Sequence, residues 1–407
     1  QHRLPIEAVI TGLGVSTDGR GRSLWAPRQE GQELALRRAY AGRDPLDIDY
    51  LEAHATSTQL GDATELKSVS SVAANGHRET SHPLLMGSVK SNIGHTLESA
   101  GLIGMVKVLL AMRRGTLPSS INVENLNQTF DWTNNPVKIV TNNVAWKRHG
   151  SKRRAGVSAF GIGGLNAHVH LEEYVAEAGA GQSGGQTAQN SARATGCVTY
   201  PDEPIAIVGR GVALPGALNL AAFDELLASG RSAITEPPTS RWRGGVGQTE
   251  TAQPTAFTSP TSRGGYITDF QFDGQKYRIP PKQVQQANPI QMMLLDAVTQ
   301  AVTEYDNGEW SFDRQRTGVV IGTVFGAEFG NQLQIGLRLP EICRRITTEL
   351  QADGAPVSAD AIAAAFRETV LRTRPALLDE TGSFTASTLS SRVAKTFDLM
   401  GGACAID

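Results

Sequence analysis

The chain has 407 residues, which is too long for one ordinary domain, and its formal net charge is −2 with 19% charged residues. A balance this close to neutral argues against binding to nucleic acid through bulk electrostatics. The longest apolar helical stretch, at 102–112, contains Lys107 and is much shorter than the roughly 20 residues of a membrane span. We therefore expect a soluble chain of two or three domains with no nucleic-acid or membrane partner.

The three cysteines, Cys197, Cys343 and Cys404, lack the close spacing of a zinc site or a disulfide framework. Free thiols fit a reducing compartment. No basic and apolar leader follows Gln1. Together these features predict a cytoplasmic protein without a metal site.

Residues 1–174 alternate short apolar runs with amphipathic stretches. In chain order this pattern predicts strand 6–12, helix 30–40, strand 48–54, helix 63–74, strand 84–89, helix 97–114, and strands 137–141 and 154–159. Strands that alternate with helices of this length indicate an α/β fold, in which a mostly parallel sheet is covered on both faces.

Residues 175–201 are rich in Gly, Ala, Ser and Gln and contain almost no large apolar side chains. This composition predicts a flexible linker, and a long surface loop within one domain is the alternative. Residues 202–407 then begin a new domain. Its predicted elements are strand 205–208, helix 223–228, helix 291–305, strand 317–323 and a final apolar run at 403–407.

Two histidines lie in predicted turns that are rich in glycine and threonine. His54 lies in EAHATSTQLGD and His95 in VKSNIGH, and each motif follows a predicted strand. Neutral imidazoles so placed can donate N–H groups to a developing enolate, each worth about 2.7–4 kcal/mol in comparable sites. The alternative is a pair of hydrogen-bonded loop histidines.

Five motifs in residues 1–174 occur in the order of the C-terminal part of a beta-ketoacyl synthase: STDGRG, EAHATSTQLGD, GSVKSNIGHTLESAG, GTLPSSIN and AFGIGGLNAHV. Residues 202–407 resemble the N-terminal part of a second such domain through EPIAIVGRGVALPGA, NPIQMMLLDAV and SSRVAKTFDLMGGACAID. The chain therefore resembles the ketosynthases of type I polyketide and polyunsaturated fatty acid synthases.

This resemblance implies a thiolase-like α/β fold with layers in the order αβαβα, present as two incomplete halves. It implies an acyltransferase reaction in the intact parent, namely decarboxylative Claisen condensation of acyl and malonyl thioesters. The substrates would be phosphopantetheine-linked thioesters of an acyl carrier protein, with no directly bound cofactor, and the parent would be a homodimer. A non-catalytic domain like a chain-length factor is the alternative for 202–407, and a thiolase-type degradative enzyme is disfavoured.

The order of the two parts predicts a segment cut across tandem synthase domains, and a circular permutant is the alternative. In the family the nucleophilic cysteine follows the final strand by a few residues, so we expect no nucleophile in this chain. Cys404, inside the apolar run, is expected to be buried and inert. The isolated segment is therefore expected to be inactive.

The resemblance also implies roles for individual residues. His54 and His95 would stabilise the enolate, and Lys90 resembles a buried lysine that organises the site electrostatically. The remaining candidates are Thr56 and Thr58 for the pantetheine arm, the amide of Ile162 for an oxyanion hole, and Phe160 for the acyl channel.

The sequence departs from the family pattern at three places: Ala55 and Ser57 replace glycines, and Leu165 replaces a threonine. The two threonines near His54 have capping as an alternative role. Asp62 is expected to cap the following helix, with Glu65 at capping-box spacing. A basic cluster at 147–154 is a candidate surface for an acidic carrier protein, with a solvated face as the alternative.

Overall fold

The computed structural model describes residues 6–19, 26–44, 47–75, 82–133, 135–148, 150–161, 164–175, 204–238, 263–307, 309, 311–323, 328–352, 358–373 and 386–406. The chain divides into two compact units: unit 1 is Gln1–Gly209 with Leu214–Tyr266, and unit 2 is Arg210–Ala213 with Ile267–Asp407. All of the predicted linker except its first residue lies outside the described residues, as do Ile162 and Cys197.

The elements of unit 1 follow one another as the alternation of the sequence predicted. Its described strands are β1 (Ala8–Thr17), β2 (Tyr50–Glu52), β3 (Leu84–Gly87), β4 (Thr116–Leu117), β5 (Val137–Ile139), β6 (Val144–Ala145), β7 (Arg154–Phe160), β8 (Leu165–Glu173), β9 (Ile205–Ile207), β10 (Ile234–Thr235) and β11 (Gly264–Gly265). Its described helices are α1 (Gln29–Ala39), α2 (Gln59–Asn75), α3 (Lys90–Ile93), α4 (Ala100–Arg114) and α5 (Leu220–Ala228).

A seven-stranded mixed sheet organises unit 1, with strand order β5-β3-β2-β7-β8-β1-β9. β5, β3, β2 and β7 are parallel, whereas β8 is antiparallel to both of its neighbours and β9 is antiparallel to β1. The predicted α/β class is therefore confirmed. β8 was not predicted as a strand, because His168 and His170 occupy inward positions that apolar residues usually fill.

Helices cover both faces of this sheet. Neighbouring residues of β2 point to opposite sides: Leu51 packs in a core cluster with residues of α1 and α2, and Tyr50 packs in a second cluster with residues of α4. The helix α1 approaches β1 so closely that a Cβ at Gly12 or Gly14 would collide with backbone carbonyls of the helix. These glycines let the layers meet.

Residues from both sides of the predicted linker belong to unit 1. β9 extends the sheet at β1, and Arg114 at the end of α4 pairs with Asp224 of α5 at 2.6 Å. The N–H of Ala233 donates to the carbonyl of Asn92 at 2.7 Å. The start of the second predicted domain is thus packed on the first, while the domain boundaries at 174 and 202 stay predictions.

In its described part, unit 2 contains the helices α6 (Pro281–Gln286), α7 (Pro289–Asp306), α8 (Glu328–Ala352), α9 (Ala359–Thr373) and α10 (Ser387–Phe397) and the parallel strands β12 (Val319–Gly322) and β13 (Ala403–Ile406). Its core includes Met292, Leu295 and Val393. No helix among the described residues of the chain has the length and apolar character of a membrane span.

The expectation of a buried Cys404 was wrong. Its side chain is exposed, and it pairs in register with Val320, which is 68% exposed. The reason is that β12 and β13 form a two-stranded sheet, and no further strand or helix covers that face within the described residues of unit 2.

A buried polar cluster lies between α1 and the sheet. The Tyr40 hydroxyl is 2.9 Å from Nε2 of His168, and Nδ1 of the same ring is 3.0 Å from the Ser158 hydroxyl. His170 contacts the Thr11 hydroxyl through Nδ1 at 2.8 Å. Burial lowers the pKa of His168 to about 3 and that of His170 to about 4, so both rings are neutral at neutral pH.

These rings make unit 1 sensitive to acid. Because their folded pKa values lie below the ordinary 6.5, the unfolded chain binds more protons, and stability falls as pH drops below about 6.5. We expect the thermal midpoint to fall between about pH 7.5 and about pH 5. A His168→Gln variant should lose less over the same interval, and equal slopes would contradict this assignment.

Candidate active site

The predicted site residues gather where two neighbouring parallel strands end. β2 ends at Glu52 and leads into the loop with His54, and β3 ends at Gly87 and leads into α3 and His95. The strands pair directly, and the Ala53 N–H donates to the Gly87 carbonyl at 2.8 Å. Carboxyl ends of parallel strands are where α/β sheets bind ligands.

The two histidines face each other. The ring centroids of His54 and His95 are 5.6 Å apart at an interplanar angle of 85°. The ring of Phe160, at the end of β7, lies 5.4 Å from the ring of His54. Three predicted site residues therefore form one cluster, while Ile162 lies outside the described residues.

A cavity of about 440 Å³ opens beside this cluster. Its polar lining includes Thr56, Asp62, Glu65, Lys90 and His95, and its apolar lining includes Leu66, Met86, Ile121, Leu126, Trp132 and Ile139. Thr58 is exposed, and its hydroxyl oxygen lies 3.4 Å from that of Thr56. The two hydroxyl groups thus lie close together, and Thr56 lines the cavity.

Both histidines of the site are neutral at neutral pH. Burial lowers the pKa of His54 to about 3, and the charge of Lys90 and the neighbouring His95 act in the same direction. Partial burial, followed by the charge of Lys90, also lowers the pKa of His95, although this residue keeps an exposed side. Each ring can therefore donate one N–H.

A backbone hydrogen bond selects the tautomer of His95. The N–H of Leu97 donates to its Nδ1 at 2.9 Å. A ring nitrogen that accepts a hydrogen bond carries no proton, so the proton of the neutral ring is on Nε2. For His54, Nδ1 is buried and has no hydrogen-bond partner among the described residues.

Glu65 positions the His54 loop, which the sequence analysis missed. One carboxylate oxygen accepts the N–H of His54 and the other that of Ala55, both at 2.8 Å. Burial raises the pKa of Glu65 to about 7, although the two hydrogen bonds lower it. The sequence signal for this role was an acidic residue at a buried position of α2, shortly after the histidine motif.

The expected capping box was wrong. α2 begins at Gln59, so Asp62 is its fourth residue and cannot be its N-cap. Its carboxylate accepts the N–H of Ser57 at 3.1 Å instead. Asp62 and Glu65 therefore both bind the loop that precedes the helix.

Lys90 is half-buried, and both acidic and basic groups influence its pKa. Burial lowers its pKa, the carboxylates of Glu52, Glu65 and Asp62 oppose that change, and Lys107 reinforces it. The lysine that the resemblance implied is thus half-buried, and its electrostatic neighbours include three carboxyl groups and a second lysine.

A buried ion pair lies beneath the site. Nζ of Lys107 is 2.8 Å from the Glu52 carboxylate and donates to the Tyr50 hydroxyl at 2.9 Å. The same hydroxyl donates to Glu52 at 2.8 Å, and the other Glu52 oxygen accepts the Val89 N–H at 2.6 Å. Lys107 is fully buried. The sequence showed Lys107 only as a charged residue within an apolar helical stretch and gave no sign of its partner.

The basic cluster at 147–154 is largely paired within the chain. Arg148 and Arg153 contact Glu173 at 2.7 and 2.8 Å, and Lys152 contacts Glu172 at 3.4 Å. These carboxylates neutralise much of its charge, which favours a structural role over carrier binding.

Two family models match the chain. The model "Beta-ketoacyl synthase, C-terminal domain" matches residues 7–124 and "Beta-ketoacyl synthase, N-terminal domain" matches residues 202–407, in this unusual order. His54, Lys90, His95 and both site threonines lie in the first match, whereas Phe160 lies between the two. The matches support the thiolase-like fold class that the motifs implied.

Among curated proteins, polyketide synthase GfsA of Streptomyces halstedii is 43% identical over 178 residues, 43% of this chain and 2% of that protein. Erythronolide synthase EryA2 of Saccharopolyspora erythraea is 44% identical over 172 residues, 42% of this chain and 5% of that protein. The chain therefore matches only a small fraction of the length of these relatives.

Among solved structures, a ketosynthase from module 6 of the bacillaene synthase from Bacillus subtilis 168 is 38% identical. The match covers 42% of this chain and 33% of that one, with a TM-score of 0.41.

The loop after His54 contains strain that glycine would relieve. Ala55 and Ser57 have φ values of 33° and 64°. This left-handed conformation costs a residue other than glycine about 1–2 kcal/mol. Ala55→Gly and Ser57→Gly should each raise stability by up to about 1 kcal/mol, after about 0.5–1 kcal/mol lost to glycine's greater entropy. Thermal unfolding measures the change in stability. Ala53→Gly is the control, because φ of Ala53 is not positive and glycine there should only destabilise the fold. Destabilisation by all three would contradict the strain.

Proposed function

The chain belongs to the beta-ketoacyl synthase family, and from that premise we propose that the site of unit 1 serves decarboxylative Claisen condensation in polyketide biosynthesis. The observation that carries the proposal is the pair of neutral imidazoles, His54 and His95, whose rings lie 5.6 Å apart beside a cavity. The parent would be an acyltransferase of the ketosynthase class.

The reaction requires electrophilic donors rather than a strong base. When the bond from the malonyl α-carbon to its carboxylate breaks, the electron pair becomes an enolate on the thioester oxygen and carbon dioxide leaves. N–H donors aimed at that oxygen stabilise the enolate. Nε2–H of His95 is one such donor, and His54 supplies the second.

The enolate carbon then attacks an acyl thioester, which expels a thiolate and forms the new carbon–carbon bond. The acyl group would be carried by a cysteine of a complete synthase domain, as in the family. None of the three cysteines of this chain is proposed for that role: Cys343 and Cys404 belong to unit 2, and Cys197 lies outside the described residues.

We assign the surroundings of the site to the carrier-bound substrates. The adjacent hydroxyls of Thr56 and Thr58 would hydrogen-bond the phosphopantetheine arm of an acyl carrier protein, and Phe160, next to His54, would border the acyl chain. The ammonium of Lys90 would keep the site electrostatically favourable for an anion. A homodimeric parent and a cytoplasmic location stay part of this proposal.

Replacing one donor should separate the two half-reactions. In a synthase that carries this sequence within a complete ketosynthase domain, His95→Ala should reduce decarboxylation of the malonyl carrier by about 10²–10³-fold. Self-acylation of the cysteine should largely survive. Carbon dioxide release and intact-protein mass spectrometry measure the two steps.

The matched control is His82→Ala, because this histidine is exposed and outside the site. Equal loss of both half-reactions would mean that His95 is structural, and an unchanged rate of decarboxylation would contradict its role as a donor.

A further inference from the structure

The buried charges beneath the site have no role in the reaction as described. The fully buried ammonium of Lys107 and the carboxylate of Glu52, itself 1% exposed, lie 2.8 Å apart in the middle of unit 1. Removing two charges from water costs several kcal/mol per ion after relaxation. A core of packed apolar residues would avoid that cost, so the pair calls for another explanation.

Glu52 connects the two loops of the site. It is the last residue of β2 and lies two residues before His54 in the chain. Its Oε1 accepts the N–H of Val89 at 2.6 Å, and Val89 directly precedes Lys90. One carboxylate therefore ties the end of β2 to the turn from which α3 and Lys90 start.

The surrounding backbone leaves room for this carboxylate. A Cβ at Gly104 of α4 would come within 2.9 Å of Cγ of Glu52, and a Cβ at Gly87 within 2.7 Å of the Tyr50 hydroxyl. Any side chain at either glycine would displace the cluster. The helix α4 and the strand β3 are thus fitted around Glu52, Tyr50 and Lys107.

The charge of Glu52 also acts on the site. Apart from burial, it is the largest influence on the pKa of Lys90, which it raises, whereas Lys107 lowers that pKa. One carboxylate thus interacts with two ammonium groups, one fully buried beneath it and one beside the cavity.

We propose that Glu52 is a positioning residue for Lys90, fixing the Val89–Lys90 turn through its hydrogen bond and acting on the Lys90 side chain through its negative charge, while Lys107 and Tyr50 hold the carboxylate in place. This rests on the proposed function, which gives Lys90 its task. A purely structural cluster would fill the same space without affecting the ionisation of Lys90.

The test measures the ionisation of Lys90 in the full 407-residue chain, without any assay of condensation. Competitive labelling with acetic anhydride from about pH 7 to about pH 11, read by peptide mass spectrometry, gives the midpoint at which Lys90 becomes nucleophilic. Glu52→Gln keeps the shape and the Val89 hydrogen bond but removes the charge. Lys107→Met removes the opposing charge.

The two variants should move the Lys90 midpoint in opposite directions, downward for Glu52→Gln and upward for Lys107→Met. Glu98→Gln, an exposed change in the same motif as Lys90, should leave it in place. If Glu52→Gln alone does not fold, the double variant Glu52→Gln/Lys107→Met removes both buried charges and should still shift the midpoint downward, because Glu52 has the larger influence.

An unchanged midpoint in a folded Glu52→Gln chain would overturn the proposal, as would the same shift in Glu98→Gln. Failure of both the single and the double Glu52 variant to fold would assign the cluster to structure alone. Because labelling reports Lys90 directly, a positive result stands even if the condensation assay with His95→Ala fails, and the reverse also holds.

Discussion

The carboxylate of Glu52 is the contact on which the site geometry depends. It lies at the end of β2, pairs with a lysine of α4 and accepts the backbone N–H that precedes Lys90. Breaking a buried pair by removing one partner typically costs about 3–5 kcal/mol, because the other charge is left uncompensated. Strand β2, helix α4 and the turn before Lys90 therefore meet at one side chain.

The backbone and the ring of His54 are controlled by different neighbours. Glu65 fixes the backbone of His54 and Ala55, while burial and the charge of Lys90 keep the His54 ring neutral. Ala55, Ser57 and Leu97 all adopt left-handed φ values within a few residues of the two histidines. Strain of this kind persists only where surrounding contacts enforce it, and it clusters at functional sites.

The sequence showed that His54 and His95 each follow an apolar strand, and in the structure they meet because those parallel strands end at the same edge of the sheet. It did not predict the Glu52–Lys107 pair, whose partners are 55 positions apart and meet only when α4 packs on β2. The strand β8 was missed because histidines fill its buried positions. The Asp62 cap was wrong because α2 begins at Gln59, earlier than the sequence pattern predicted. Exposure of Cys404 depends on what covers β13, which local sequence does not encode.

The site presents two neutral imidazole donors, with the proton of His95 on Nε2. Long-range ¹H–¹⁵N correlation spectra of the chain labelled with ¹⁵N-histidine test this protonation pattern most directly, since they distinguish Nδ1–H, Nε2–H and the imidazolium. At about pH 7 we expect His54 to be neutral and His95 to be neutral with its proton on Nε2. A doubly protonated ring at either position, or a proton on Nδ1 of His95, would contradict the account.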